Sequence, residues 1–247
     1  SAKGVMHMVG ATQAPYATAG HMVGMVKASR FALHEMDYLS AFTVGYGQKE
    51  HHSFPYYVAL AALYAEGRPV RLALDRWQHF QFALKRHPFD LKTTIAVDAA
   101  GQFQAFSVDM RGDGGGTMNF SPSVGTLGVA SSQSVYYFPK SDLSVAVYPS
   151  SEVTAGSVRG YGTLQSMAPT EMLVDEIADQ LGIDAIALRQ KNMLRTGLRN
   201  TQGAVPAGHL RIGEILALAA KDSVWTNRAK RKAEYEAANP GMRYGMG

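Results

Sequence analysis

The sequence predicts an α+β protein, with mixed β/α layers carrying glycine-rich loops and then a helical C-terminal part. Two observations carry this. Strand-like and helix-like stretches alternate through residues 1–160, whereas residues 161–247 are mainly helical in pattern. Glycine-broken turns also sit ahead of predicted helices, as a strand, glycine turn, helix unit requires.

Residues 5–9 read as a strand and 15–26 as a weak helix. Residues 41–44 read as a strand running into Gly45-Tyr46-Gly47. A helix follows over 55–66, with Pro55 at its first turn, Gly67 as its C-terminal cap and Pro69 as a stop. Strands are expected at 70–74, 92–97 and 102–110, the last two joined by the turn Asp98-Ala99-Ala100-Gly101, with one more at 143–148. Residues 112–134 signal loops or weak helix. The clearest helix spans 167–181, where Leu173, Ile177 and Leu181 recur every four residues with Val174 beside them; Ser166 suits its N-cap and Gly182 its end. Asp184 then caps a helix through residue 194, and 212–220 and 223–238 are helical in pattern.

Composition narrows the function. With 247 residues, 46% apolar and 18% charged, the chain is globular, and without cysteine it holds no Cys-ligated iron-sulfur cluster or zinc site. Any electrons it handles must leave through another module. No run reaches the roughly 18 apolar residues of a membrane span; the best candidate, 56–65, is about half that. The start lacks a signal-peptide core and a Met, as expected of a processed, excised or trimmed chain. The formal charge is +4, and the densest basic stretch, 221–232, includes Arg228, Lys230 and Arg231. Such a run on a helix is a solvated face or a surface for a polyanion.

Three segments stand out as candidates for chemistry: Ala11-Thr12-Gln13, residues 44–50 (VGYGQKE) and residues 158–165 (VRGYGTLQ). In the latter two, a Gly-Tyr-Gly triplet lies ahead of a predicted helix. The backbone there can approach a ligand closely and turn N–H groups toward an anion or oxo group, or it can simply form a tight turn around a packed tyrosine. Neither has the third glycine of a dinucleotide fingerprint or the GK[ST] of a P-loop. Gly112-Asp113-Gly114-Gly115-Gly116 is expected to be a flexible turn rather than a phosphate cradle, since no Lys or Ser follows at P-loop spacing. His34, His51, His52 and His87 show no metal-ligand spacing and read as loop or core histidines. A serine-nucleophile elbow is absent from the sequence.

Taken in order, these segments resemble the molybdopterin-binding subunit of the xanthine dehydrogenase and aldehyde oxidase family. VGYGQKE is similar to that family's GGFGGKE, and VRGYGTLQ to its FRGFGxxQ. Further points are Thr12-Gln13, Gly67-Arg68-Pro69-Val70-Arg71-Leu72, Arg86-His87-Pro88-Phe89, Leu181-Gly182-Ile183-Asp184 and Leu188-Arg189-Gln190-Lys191-Asn192. The resemblance covers most of the chain. It implies a molybdenum-molybdopterin enzyme that hydroxylates a carbon with oxygen from water, with any iron-sulfur clusters, FAD or haem on partner chains. It places Gln13 against an oxo ligand of the metal, with Gly45, Tyr46, Gly47 and Arg159 on the cofactor side. Glu50 and Tyr161 fall on the substrate side, Tyr161 in the place of the family's second phenylalanine. The family's purine-orienting arginine falls at Leu127, which cannot make charge-assisted hydrogen bonds. An aldehyde or a less polar N-heterocycle is therefore expected, and not xanthine.

Two departures matter. Val44 and Gln48 replace family glycines, which alters the loop's approach to the cofactor. The family's catalytic glutamate lies far downstream, in a region this chain does not contain, so no catalytic residue is assigned here. The implied partners are the remaining molybdopterin-binding region or subunit, an electron-transfer subunit and a small-molecule substrate; nucleic acid is not expected. Cytoplasmic location is favoured, with export of the assembled enzyme open. The alternative from another class is a noncatalytic binding or assembly module that uses its basic helical tail.

Overall fold

The computed structural model describes residues 4–12, 14–31, 33–40 and 54–246. Two compact units interleave along the chain. The first is Ser1–Asp90, Arg111–Thr126 and Ala146–Gly162; the second is Leu91–Met110, Leu127–Val145 and Thr163–Gly247.

The first unit opens with a β–α–β motif. Strand β1 (Val5–Gly10) pairs in parallel with β2 (Glu35–Ser40), from Val5 opposite Glu35 to Gly10 opposite Ser40, and helix α1 (Pro15–Val26) makes the crossover that parallel pairing needs. Pro15 suits the first turn because it has no N–H to leave unpaired. Met22 and Val26 of α1, Leu33, Met36 of β2 and Ala59 of α2 (Phe54–Tyr64) form the core. Strand β2 was not foreseen, although its signal was present: Met36 and Tyr38 alternate with Glu35 and Asp37. The expected strand 41–44 lies outside the described residues.

Helix α2 reads FPYYVALAALY and carries no charge, so both its faces are apolar. Ala59, Tyr56 and Leu63 pack on the core, while Tyr57, Leu60 and Tyr64 are exposed. It ends where Glu66 and Gly67 turn left-handed, at φ 51° and 82°. The strand expected at 70–74 does not form. Pro69 has no N–H to offer a ladder, and residues 68–75 carry no strand or helix. Asp75 starts α3 (Arg76–Phe82) through a capping box: its carboxylate accepts from the Gln78 amide at 2.7 Å, and the Gln78 side chain accepts from the Asp75 amide at 2.9 Å.

Gly112 to Gly116 is not the flexible turn expected but a close crossing. A Cβ at Gly112 would stand 2.3 Å from the Phe89 ring, and one at Gly115 (φ +71°) 2.5 Å from the Val153 carbonyl oxygen. The amides of Gly114, Gly115 and Gly116 donate to Tyr148 O, the Asp113 carboxylate and Glu152 O at 2.9, 2.8 and 3.0 Å. Each is thus bonded within the protein, and none is left to cradle a phosphate. Beside the crossing, His87 is buried, with Nε2 2.8 Å from Ser121 Oγ and its ring stacked 5.6 Å from Phe89.

In the second unit the strand order is β3 (Phe89–Val97), β4 (Phe103–Asp113), β5 (Ser141–Tyr148). The expected hairpin turn forms at 98–101: Asp98 Oδ1 accepts from the amides of Ala100 and Gln102, and Gly101 adopts φ +79°. Phe103, Phe106, Tyr136 and Phe138 form an aromatic core, with Phe138 stacked between Phe103 (5.3 Å) and Phe106 (4.5 Å). Tyr136 donates to Glu171 at 2.7 Å, and Glu171 also accepts from Ser134 at 2.6 Å and Arg189 at 2.9 Å. Burial, reinforced by Glu171, holds the Tyr136 hydroxyl well above the usual tyrosine range.

Helix α5 (Thr163–Leu181) begins earlier than expected, so Ser166 is not its cap. It is buried inside the helix, its hydroxyl donating to Thr163 O at 3.2 Å. The buried stripe is Ser166, Thr170, Val174 and Ala178, one row over from the expected Leu173, Ile177 and Leu181. Small side chains allow close packing, which here outweighs residue hydrophobicity. Gly182 ends α5 as expected, at φ +63°. Asp184 caps α6 (Ala185–Asn192) through the amides of Ile186 and Ala187, also as expected. Asn192 is buried and fully used: Oδ1 accepts from Phe103 N (2.8 Å) and Gln102 Nε2 (3.0 Å), and Nδ2 donates to Gly101 O (2.8 Å) and Leu188 O (3.0 Å).

Helix α7 (Ile212–Ala219) follows, and the single helix expected over 223–238 is two, α8 (Ser223–Thr226) and α9 (Arg228–Ala238). They part at Asn227, whose side chain donates to Ser223 O at 2.9 Å and competes with helix propagation. Arg228, from the basic run, bonds Asp184 at 2.7 Å and lies 4.0 Å over the Trp225 ring. Lys230, Arg231 and Lys232 are exposed. No helix among the described residues is long and apolar enough to cross a membrane.

Candidate functional site

The β1–α1 turn carries the first candidate segment. Thr12 is buried there; its Oγ1 accepts from the Ala14 amide at 3.0 Å, and its carbonyl accepts from Ser40 Oγ at 2.9 Å. Both flanks of position 13 are thereby tied to the motif. Thr12 faces a cleft of about 990 Å³ in the first unit, lined also by His21, Tyr56, Tyr57, Phe120 and Thr154. The wall is chiefly apolar and aromatic, with hydroxyls at a few points: Tyr56 OH lies 3.4 Å from His21 Nδ1, and Thr117 Oγ1 lies 3.1 Å from Thr154 Oγ1. This is the lining expected of a small-molecule site.

The last candidate segment is also in the first unit. Gly160, Tyr161 and Gly162 take φ of +89°, +50° and +93°, three left-handed residues in succession. A bulky residue in that region is an outlier costing about 1–3 kcal/mol, and such strain clusters at functional sites. Surrounding bonds hold it: Tyr161 N donates to Val158 O at 2.8 Å, Tyr161 OH lies 2.9 Å from Ser123 Oγ, and Arg86 donates to the Arg159 carbonyl at 2.9 Å. Arg159 itself is exposed.

The structure thus gathers Arg159, Tyr161, Arg86 and Ser123 in one unit. Leu127, on α4 (Ser121–Ser131), is 45% exposed and belongs to the second unit. Gln13, Gly45, Tyr46, Gly47 and Glu50 lie outside the described residues. Ser123 is a residue the sequence did not point to; it is 38 positions from Tyr161, and no local pattern ties the two. Among the described residues, no cluster of three His, Cys, Asp or Glu side chains could hold a metal ion.

A βαβ-based α+β fold with an aromatic cleft and a strained glycine loop defines the class: a binding domain for a small organic cofactor or substrate. The sequence profile of the molybdopterin cofactor-binding domain matches residues 2–193, and the chain belongs to that family. It is 33% identical over 149 residues to an aldehyde oxidoreductase of Megalodesulfovibrio gigas, covering 60% of this chain and 16% of that protein. It is 25% identical over 223 residues to the nicotinate dehydrogenase large molybdopterin subunit of Eubacterium barkeri, covering 90% of this chain and 52% of that one. Among solved structures, quinoline 2-oxidoreductase from Pseudomonas putida 86 superposes with a TM-score of 0.80 at 25% identity, over 92% of this chain and 29% of that one. The resemblance read from the glycine segments is therefore correct at the level of family. The chain spans only 16% of the aldehyde oxidoreductase's length and 11% of a similar xanthine dehydrogenase from Blastobotrys adeninivorans.

The described residues fit such a cofactor. Molybdopterin carries a phosphate and its metal carries oxo groups, so the complement is a set of donors. Arg86 and the exposed Arg159 bring two guanidinium groups beside the left-handed run, the donor type that an anionic group calls for.

Proposed function

We propose that this chain forms one wall of a molybdopterin site in a hydroxylase that oxidises an aldehyde or N-heterocycle with water-derived oxygen. The catalytic glutamate would come from a region or partner subunit outside these 247 residues. The observation that carries the reading is the left-handed Gly160-Tyr161-Gly162 run, whose strain is held by Arg86 and Ser123 in a chain of the molybdopterin-binding family.

When bound, the cofactor supplies a two-electron acceptor and the oxygen that is transferred. The chain's residues bind and orient. The Gln13 amide would donate to an oxo group, the backbone of Gly45, Tyr46 and Gly47 would lie on the cofactor side with it, and Arg159 would help to hold the cofactor. Glu50 orients a polar substrate atom, and the Tyr161 ring packs on the substrate plane. Leu127 offers no charge to a purine carbonyl, so xanthine is a poor substrate. Electrons would pass to partner chains that carry iron-sulfur clusters, FAD or haem.

The test is molybdenum per protein, by elemental analysis, in the chain alone and in the assembly co-expressed from the genes flanking its own. Metal should appear only in the assembly, and Gln13→Ala should lower its retention or turnover about 10- to 100-fold with the fold unchanged. An assembly that is folded yet free of molybdenum would overturn the reading.

A further inference from the structure

We propose that residues 70–74 are a strap that closes onto the outer edge of β1 as a third parallel strand, and that the closed form is the one that holds the cofactor. The coupling to cofactor rests on the molybdopterin reading above; the strand itself does not. Among the described residues β1 pairs with β2 alone, which leaves its other edge without a strand. A groove of about 840 Å³ in the first unit runs along that edge, lined by every residue of 4–9. Successive side chains of a strand point to opposite faces, so a groove that touches all of them follows the backbone edge. Its far wall is Val58, Ala62 and Leu63 of α2 together with residues 66–70. A strand edge without a neighbour is a template for another strand.

Residues 70–74 fit that edge. Pro69 withholds its own N–H, but the amides of 70–74 are all available, since none makes a hydrogen bond among the described residues. The sequence VRLAL alternates Val70, Leu72 and Leu74 with Arg71 and Ala73, and Val70 already lines the groove. In the closed strand, Val70, Leu72 and Leu74 extend the core face of Met6 and Met8, and Leu72, 44% exposed in the open form, is covered. Arg71 and Ala73 then share the outer face with His7. Helix α2 becomes a second crossover, and the strand order β2, β1, 70–74 sends the chain to opposite sides of β1. Such a reversal in a parallel sheet opens a crevice at the carboxyl ends of the strands, where ligands bind. The carboxyl end of β1 leads to Thr12, and Leu72 and Leu74 line the same cleft as Thr12. Closing the strap therefore sets one wall of that cleft, and a ligand that needs the wall favours the closed form.

The chain has no cysteine, which permits a direct test in the assembly with its partner chains. His7→Cys is combined with Arg71→Cys or with Ala73→Cys, the two same-face registers, and separately with Leu72→Cys, which faces the other way. Mild oxidation followed by peptide mass spectrometry should find a disulfide in one same-face pair and none in the Leu72 pair. No disulfide in any pair, or one in the Leu72 pair alone, refutes the strand. Hydrogen exchange on the unsubstituted assembly reads the coupling, with cofactor bound and after preparation from cells unable to make molybdopterin. The amides of 70–74 should exchange about 10-fold or more slowly in the loaded assembly. Equal exchange in the two preparations overturns the coupling, whichever rate they share. An assembly that never takes up molybdenum sinks the molybdopterin reading and the coupling with it, while the disulfide pattern still decides the strand.

Discussion

Replacing Asn192 with alanine should cost more stability than any surface change of similar size. The Asn192 side chain is 1% exposed and meets four partners, two at each end of its amide. Two of them cannot turn to water easily: the amide of Phe103, itself 1% exposed, and the carbonyl of Gly101 in the β3–β4 turn. A buried polar group left without a partner costs about 1–3 kcal/mol, so losing both predicts about 2–6 kcal/mol. For a chain of this length that is a fall in Tm of roughly 4–24 °C, readable by differential scanning calorimetry. Asn192→Asp sharpens the test. An ionised carboxylate accepts from Phe103 but faces the carbonyls of Gly101 and Leu188, which raises its folded pKa above the unfolded value. The variant should therefore recover stability as pH falls and the carboxyl gains a proton to donate. A loss below about 1 kcal/mol for Asn192→Ala would refute the view that this amide pins the hairpin to α6.

Two further outcomes follow from the first unit. Burial lowers the His87 pKa below its ordinary value, against a smaller opposing pull from Asp113, so below pH 6.5 the unfolded chain binds a proton that the folded chain resists. Stability should drop as pH falls from 7 toward 5, and His87→Gln should flatten that part of the urea-denaturation profile; an unchanged slope would contradict it. Gly115→Ala places a Cβ 2.5 Å from a backbone oxygen at φ +71°, and should cost roughly 2–4 kcal/mol in the same assay. Gly116→Ala, whose nearest such neighbour is 3.7 Å away, should be close to neutral.

Much of this architecture was legible where local chemistry decides it. Pro15 marks the start of α1, Asp98 and Gly101 make the hairpin turn, and Gly182 and Asp184 separate α5 from α6. Legibility failed where tertiary packing decides. The run at 70–74 has strand-like residues but gains no strand pairing, and in α5 the buried row is chosen by small size rather than by apolarity. The short α3 was announced by Asp75 and Gln78 alone, a capping signal easily lost beside the apolar run before it. At the site, the glycine triplet holding Tyr161 was readable as a motif. Its supports were not, because Ser123 is 38 residues away and Arg86 is 73 residues from Arg159. Contacts at such separation leave no periodicity in a single sequence.

The interleaving of the two units sets an order of events during synthesis. The amide of Phe103 is satisfied by a side chain 89 residues later, and at roughly 5–20 residues per second that partner leaves the ribosome about 4–18 s after it. For that interval the β3–β4 hairpin carries its phenylalanines without the helices that cover them. The nascent chain is then at its most vulnerable to misassociation, and a chaperone that holds the hairpin until α6 emerges would raise yield without touching the stability of the finished protein.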